Sequence, residues 1–181
     1  LNLASNDLTG EIPYWIDQLI ELRLGGNQIS GEILPIISNF SSLQYLDLSS
    51  NQLTGDIPAE IGNLSKIEYL YLSSNQFTKI PAEIGNLSYL KKLNIASNLL
   101  SSIPPELGNL YNLEILDLSN NNIAGEIPIE IGHLYNLRTL SINDNLLSGS
   151  IPSDISYLSK LIYLNLSENQ LSGSIPLDAN N

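Results

Sequence analysis

Residues 43–64 read LQYLDLSSNQLTGDIPAEIGNL, and most of the chain is this stretch written again with changes. The asparagine that follows LDLSS, Asn51, marks the register of the repeat. The equivalent asparagines elsewhere in the chain are Asn6, Asn27, Asn75, Asn98, Asn121, Asn145 and Asn169. Their successive spacings are 21, 24, 24, 23, 23, 24 and 24 residues. So regular a period predicts a solenoid in which each unit contacts only its neighbours.

Each unit places apolar side chains at fixed positions, which predict its local structure. In the quoted unit these are Leu43, Leu46, Leu48, Leu53, Ile57, Ile61 and Leu64. The alternation around Leu46 indicates a half-buried strand, and strands from successive units are expected to pair in parallel, with the rest of each unit as the crossover. Pro58 disfavours helix before it, while Gly55 and Gly62 allow tight turns. We therefore expect irregular or 3-10 turns, with a short second strand near residues 53–54.

The combined pattern L-x-x-L-x-L-x-x-N-x-L and L-T-G-x-I-P-x-x-I-G-x-L resembles the plant-type leucine-rich repeat. This repeat is found in ectodomains of receptor-like kinases and receptor-like proteins and in polygalacturonase-inhibiting proteins. The resemblance covers nearly all of the chain. It implies an α/β leucine-rich repeat solenoid, a curved right-handed superhelix with a parallel sheet on its concave face and short 3-10 or irregular turns on its convex face.

The same resemblance implies one domain over residues 1–181 with about eight repeats of 21–24 residues. Secreted plant-type members usually carry cap segments with paired cysteines, which this sequence lacks, so we expect both ends to be uncapped or truncated. The first unit is also three residues shorter than the common 24. Either its interface with the second unit is distorted, or two pieces were joined there.

Composition excludes several classes of function. The net charge of −12 and the pI of about 4.2 argue against nucleic acid and against a polybasic membrane patch. The chain has no cysteine, and its single histidine, His133, takes a surface position of the repeat without a nucleophile near it. No apolar run reaches the roughly 18 residues of a membrane span, and no signal peptide is visible in this segment. We therefore expect no enzyme activity, no cofactor or metal, no nucleic-acid partner and no direct membrane insertion of the segment.

The repeated asparagine predicts a structural column. Where each strand turns away, backbone groups lose their partners in the sheet, and a buried unpaired group costs about 1–3 kcal/mol. An asparagine amide offers two donors and one acceptor. We therefore assign a structural role to the ladder of Asn6, Asn27, Asn51, Asn75, Asn98, Asn121, Asn145 and Asn169.

Strand side chains that point away from the core would line the concave face. Three tyrosines, Tyr45, Tyr69 and Tyr71, fall on adjacent strands beside Lys91 and Lys92. Tyrosine is a favoured binding anchor, although cross-strand aromatic pairs also stabilise a sheet, and both roles are open here. The predicted ligand-binding residues are Arg23, Tyr45, Asp47, Tyr69, Tyr71, Lys91, Lys92, Asn94, Asp117, Arg138 and Tyr163. The family resemblance assigns none of these contacts individually.

Four sequons of the form N-x-[ST] bear on secretion. Asn39, Asn63 and Asn86 share one surface position of the repeat away from the concave face, and we expect them to accept glycans. Asn165 lies on the concave face, where a glycan would obstruct binding, so its use is doubtful.

The resemblance implies a non-enzymatic module that recognises a protein or peptide on its concave face, as in a receptor ectodomain that is extracellular or at the cell surface. One alternative is a secreted inhibitor of cell-wall-degrading enzymes, against which the missing cysteines count. Another is an engineered or structural scaffold, or an ice-binding surface protein. For the last, a column of hydroxyls recurs at Thr9, Ser30, Thr54, Thr78, Ser101, Ser148 and Ser172.

Overall fold

A computed structural model describes residues 1–15 and 18–176 of the chain. Residues 16, 17 and 177–181 of the predicted domain lie outside this part. Strands are numbered β1–β13 and 3-10 helices η1–η6 in chain order.

Seven short parallel strands form the main sheet within the described residues. They are β2 (Glu21–Arg23), β4 (Tyr45–Asp47), β6 (Tyr69–Tyr71), β8 (Lys92–Asn94), β9 (Ile115–Asp117), β11 (Thr139–Ser141) and β13 (Tyr163–Asn165). Residues at equivalent positions of neighbouring repeats lie side by side: Tyr45 pairs with Tyr69, and Leu46 pairs with Leu70. The predicted parallel sheet is confirmed. The first unit contributes only a bridge between Asn2 and Arg23 rather than an eighth strand.

A second set of short parallel strands follows the register asparagines. The strands β1 (Thr9–Gly10), β3 (Gln28–Glu32), β5 (Gln52–Gly55) and β7 (Gln76–Phe77) form one sheet, and β10 (Ala124–Gly125) pairs with β12 (Leu146–Leu147). Each pairing is displaced by two residues from repeat equivalence, so Thr54 lies beside Gln76 rather than beside Thr78. A second strand near residues 53–54 was expected, but its displaced register was not.

This second set of strands is interrupted in the unit that contains Asn98, where residues 99–104 form no strand. That unit is one residue short, because Ser102 replaces the usual pair of glycine and acid. Backbone hydrogen bonds still connect it to its neighbours, at 2.9 Å from Leu99 N–H to the Phe77 carbonyl and 3.1 Å from Ala124 N–H to the Ser101 carbonyl. The preceding unit is equally short and still forms β7, so the missing residue alone does not account for the interruption, and the units stay connected.

Short 3-10 helices complete the units, as the sequence predicts. They are η1 (Pro35–Asn39), η2 (Ala59–Asn63), η3 (Ala82–Asn86), η4 (Pro105–Asn109), η5 (Ile129–His133) and η6 (Ser153–Tyr157). The tight-turn interpretation holds for Gly55, whose φ is +79°. It is wrong for Gly62, where a Cβ would come 2.4 Å from the Glu83 carbonyl oxygen. Gly62 is required because the next helix packs directly against it.

The core is one continuous stack of leucine, isoleucine and phenylalanine. The seven apolar positions of the quoted unit are all buried, with at most 2% exposure. No helix among residues 1–15 and 18–176 is long and apolar enough to cross a membrane.

The register asparagines bond to backbone groups of two neighbouring units. The Asn75 Oδ1 accepts the Leu53 N–H at 3.0 Å, while its Nδ2 donates to the carbonyls of Leu48 at 2.9 Å and Leu72 at 3.2 Å. The same pattern recurs from Asn27 to Asn169. Each asparagine therefore fixes the position of one main strand against the next.

Candidate binding face

The outward face of the main sheet is set by the three-residue length of its strands. In every strand the middle residue is a leucine, and in the six strands from β2 to β11 that leucine is fully buried. The first and third residues therefore point outward, which places Arg23, Tyr45, Tyr69 and Tyr71 on one surface. With about 4.8 Å between strands, seven strands present a surface roughly 29 Å long. Such a surface suits an extended ligand.

Five of the predicted binding residues come together at one end of this face. The Arg23 guanidinium lies 4.0 Å from the centre of the Tyr45 ring. The Tyr45 ring is 5.7 Å from that of Tyr69 and 5.4 Å from that of Tyr71, centre to centre. The Lys92 ammonium is 6.0 Å from the centre of the Tyr69 ring. We call Arg23, Tyr45, Tyr69, Tyr71 and Lys92 the tyrosine cluster.

Two hydroxyls of this cluster, those of Tyr45 and Tyr71, have a raised pKa. Burial raises the pKa of Tyr45 above its ordinary value of 10.0, and the neighbouring Arg23 charge opposes part of that rise. Burial also raises the pKa of Tyr71, and the adjacent phenols of Tyr45 and Tyr69 raise it further. Both hydroxyls are therefore hydrogen-bond donors at physiological pH.

Most charges around the cluster are already paired. Arg23 lies 3.3 Å from Glu21, Lys91 lies 2.7 Å from Glu68, and Arg138 lies 3.8 Å from Glu114. The hydrogen bond to Glu68 raises the pKa of Lys91. All three pairs are partly exposed, so they order this face more than they stabilise the fold.

Three predicted polar residues hold the backbone of their own units. The Asp47 Oδ1 accepts hydrogen bonds from the Ser49 N–H at 3.0 Å and the Ser49 hydroxyl at 2.6 Å. Asp117 accepts the same two bonds from Ser119, at 3.1 and 2.7 Å. Asn94 likewise accepts the N–H of the residue two positions on, at 3.0 Å. The signal available in the sequence was the recurring Asp-Leu-Ser, a spacing typical of Asx turns.

The remaining predicted residues lie apart from the tyrosine cluster. Tyr163 is on β13, separated from β6 by three strands, and is 52% exposed. Arg138 precedes β11, where it pairs with Glu114. The structure thus gathers the first half of the predicted set and leaves the second half dispersed.

The expected glycan acceptors lie off the main sheet. Asn39, Asn63 and Asn86 are the exposed last residues of η1, η2 and η3. Asn165 lies in β13, and its Oδ1 accepts hydrogen bonds from the Ser167 N–H at 3.1 Å and hydroxyl at 2.8 Å.

Neither a cluster of metal ligands nor a groove in the described residues offers a second candidate site on the main sheet. The described residues contain no group of three or more His, Cys, Asp or Glu side chains that could hold a metal ion. A shallow groove of about 580 Å³ lies on the 3-10 helix side, between Pro58, Pro81 and Pro104. It is separate from the tyrosine cluster, whose flat sheet requires no closed pocket to receive an extended chain.

Family models match most of the sequence. A model described as a leucine-rich repeat region matches residues 24–117, and two leucine-rich repeat models match residues 88–147 and 160–181. No curated protein sequence matches the chain.

Solved structures share the fold at appreciable identity. The ectodomain of the Arabidopsis thaliana receptor kinase GASSHO1/SCHENGEN3, solved with CASPARIAN STRIP INTEGRITY FACTOR 2, is 45% identical with a TM-score of 0.92 over 96% of this chain. The Arabidopsis receptor kinase HAESA, solved with the peptide hormone IDA and the co-receptor SERK1, is 39% identical with a TM-score of 0.91 over 97%. This chain spans only 22% and 30% of those two chains.

A plant ice-binding protein is also similar, at 27% identity and a TM-score of 0.71, over 99% of this chain and 75% of its own. The family-model matches agree with the repeat period and with the stacked parallel strands seen here. The chain therefore belongs to the leucine-rich repeat family, and its repeats are of the plant type seen in receptor-kinase ectodomains.

Proposed function

We propose that this chain is a non-enzymatic recognition module that binds a protein or peptide across the outward face of its main sheet. As part of a receptor ectodomain, it would work outside the cell or at the cell surface. The similar receptor kinases GASSHO1/SCHENGEN3 and HAESA were solved with a named factor and a peptide hormone, which supports this class of ligand.

The tyrosine cluster is the observation that carries the proposal. It combines the Tyr45 ring, which has the Tyr69 and Tyr71 rings within 6 Å, with two cations, on strands whose positions the asparagine ladder fixes. Large side chains that are already ordered bind with a smaller loss of conformational entropy. Tyrosine and arginine are also the residue types that most often dominate binding energy.

The test begins with a random peptide library displayed on phage, selected on the whole chain. We expect Tyr71→Ala to weaken binding of the selected peptides by about 10- to 100-fold, the range of a binding hot spot. The matched control is Tyr111→Ala, because Tyr111 is 55% exposed and follows η4 away from the main sheet. Thermal unfolding of both variants checks that the repeats stay folded.

The proposal fails if the selected peptides lose affinity equally with both variants, or with Tyr111→Ala alone. It also fails if repeated selection yields no peptide that binds through the main sheet. An inhibition assay against pectin-degrading enzymes tests the inhibitor alternative in the same preparation.

Ice binding is a second candidate, favoured by the similar ice-binding structure. The hydroxyl column lies along the second set of strands, where the Thr54 hydroxyl donates to the Gly31 carbonyl at 3.3 Å and the Ser148 hydroxyl to the Gly125 carbonyl at 3.4 Å. Because of the displaced register, Thr54 lies between Glu32 and Gln76 across the sheet rather than beside another hydroxyl. Thermal hysteresis that Thr54→Val reduces would support this candidate, and the absence of both hysteresis and recrystallisation inhibition would eliminate it.

A further inference from the structure

The positive side chains on the main sheet and its edge differ in whether they have an anionic partner. Arg23, Lys91 and Arg138 each form an ion pair with a glutamate of the same face. Lys92 forms no ion pair and donates no side-chain hydrogen bond in residues 1–15 and 18–176. It is therefore a cation of the candidate binding face whose charge the protein itself leaves unneutralised.

The surroundings of Lys92 partly shield its ammonium from water. Lys92 is half-buried in β8, with Tyr69 beside it on β6 and Ile115 beside it on β9. An aromatic ring and an aliphatic side chain thus replace part of the water that would solvate a fully exposed ammonium. The distance of 6.0 Å from the ammonium to the Tyr69 ring centre gives only a weak cation–π contact.

The nearest carboxylate on the neighbouring strand β9, that of Asp117, does not form an ion pair with Lys92. Asp117, on the strand next to β8, is paired across the sheet with Asn94 rather than with Lys92. Its Oδ1 is engaged by the backbone and hydroxyl of Ser119. The ammonium of Lys92 thus keeps its donors available to a ligand on the outward side of the sheet.

We infer that Lys92 receives the carboxylate of an Asp or Glu side chain of the bound peptide, with Tyr69 and Ile115 contacting the apolar part of that side chain. This inference rests on the proposed function, because it assigns a ligand group to the same face. A charge-assisted hydrogen bond in a partly desolvated site is stronger than a neutral one. Lys92 is thereby a residue that determines specificity for acidic peptides.

The net charge of the chain opposes the binding of acidic peptides. A protein of net charge −12 attracts cationic peptides over its whole surface. Any nonspecific selection would therefore enrich lysine and arginine. A preference for Asp and Glu that depends on one lysine cannot arise from that background.

The experiment is a parallel selection of the random phage library on the intact wild-type chain and on Lys92→Gln, Lys92→Glu and Lys79→Glu. Lys79 is the matched control, because it is an exposed cation outside the main sheet that also forms no ion pair among the described residues. Lys79→Glu changes the net charge as much as Lys92→Glu does. Since the Lys92 ammonium has no protein partner, all variants should keep the wild-type midpoint of thermal unfolding.

We expect the wild type and Lys79→Glu to select peptides enriched in Asp and Glu relative to the unselected library. Lys92→Gln should lose the enrichment, and Lys92→Glu should select Lys and Arg instead. A selected peptide, synthesised with an amidated C-terminus, should bind the wild type about 10- to 100-fold more weakly after its acidic residue is changed to the amide. The same change should have little effect on binding to Lys92→Gln.

The inference and the proposed function fail in different ways. Peptides that depend on Tyr71 but show no acidic enrichment would overturn the inference and leave the proposed function standing. An acidic preference that survives in Lys92→Glu would do the same. If no selected peptide depends on Tyr71, both the proposed function and the inference are contradicted.

Discussion

At the residue scale, Asn98 joins two neighbouring units of the stack. Its Oδ1 accepts the Phe77 N–H at 2.9 Å, and its Nδ2 donates to the carbonyls of Leu72 and Ile95 at 3.0 and 3.1 Å. The residue is 7% exposed, so water cannot readily replace it. The sequence predicts this role because the spacing of the asparagines is regular and the amide has the required donors and acceptor.

Asn98→Ala should lower the free energy of unfolding by about 1–3 kcal/mol, because it leaves the buried Phe77 N–H without a partner. The Leu72 and Ile95 carbonyls each lose one donor but keep the amides of Asn75 and Asn121. Urea unfolding followed by circular dichroism measures the change. Asn112→Ala is the control, since this exposed asparagine makes a single bond, from its Nδ2 to the Ser88 carbonyl at 2.8 Å. Equal losses in the two variants would show that the ladder does not stabilise the stack as described.

Two phenols of the tyrosine cluster, those of Tyr45 and Tyr71, should make the stability of the folded chain depend on pH at alkaline pH. Burial raises the pKa of Tyr45 and Tyr71 in the folded chain above the ordinary value of 10.0, so unfolded chains lose these protons first. The contribution of these phenols to stability is therefore complete below about pH 10 and decreases as the pH rises through the folded pKa values. Absorbance titration at high pH should show late-titrating tyrosines. Tyr45→Phe with Tyr71→Phe should remove two of them and leave Tyr14, whose pKa burial also raises. Titration of all tyrosines at the ordinary value would contradict the partial burial.

At the scale of elements, the 3-10 helices pack closely enough to dictate their sequence. A Cβ on Gly62, Gly85, Gly108 or Gly132 would lie 2.4–2.5 Å from the carbonyl oxygen of the acid in the next helix. Glycine recurs at these four positions because a side chain would collide with the next helix, although η1 has Ser38 at the equivalent position. The sequence shows the recurrence, but its cause is a contact between units that no single unit contains.

Gly108→Ala should destabilise the chain by about 1–3 kcal/mol or more, because η4 and η5 must move apart. The control is Ser156→Ala at the equivalent position of η6, where the native residue already carries a Cβ and is exposed. Thermal unfolding monitored by circular dichroism compares the two. A larger loss for Ser156→Ala would be inconsistent with this packing.

The displaced register of the second strands also depends on contacts between units. The leucine and proline pattern predicts that a strand forms near residues 53–54 but not which residue faces it. Thr54 lies beside Gln76, two residues before its repeat equivalent Thr78, and this offset belongs to a pairing between units that no single unit specifies. Contacts between neighbouring side chains, such as the Arg23 and Tyr45 stacking, depend on that three-dimensional arrangement as well.

Over the whole molecule, chemical features separate by face. The tyrosine cluster lies on the main sheet, and the sequons Asn39, Asn63 and Asn86 lie at the ends of the 3-10 helices. This arrangement would let sugars cover one side of the stack while the main sheet stays accessible. The repeat period predicted that the tyrosines and the sequons lie on different faces, because every position of a unit maps to one face.

Secretion from a eukaryotic host should therefore yield a chain with N-glycans at these three sites and none at Asn165. Intact mass before and after enzymatic deglycosylation measures their number. Asn39→Gln, Asn63→Gln and Asn86→Gln should each remove one glycan, whereas Asn165→Gln should leave the mass of the attached sugar unchanged. A single unmodified mass after secretion would contradict the assignment.

The central claim is that ligands bind across the outward face of the main sheet. The most direct measurement places a benzophenone photo-crosslinking residue at position 71 in one preparation and at position 111 in another. Each is irradiated with a peptide selected on the wild-type chain, and the crosslinked product is identified by mass spectrometry. The account predicts a crosslink from position 71, on β6, and none from position 111. A crosslink from position 111 alone would place the binding site off the main sheet and contradict the account.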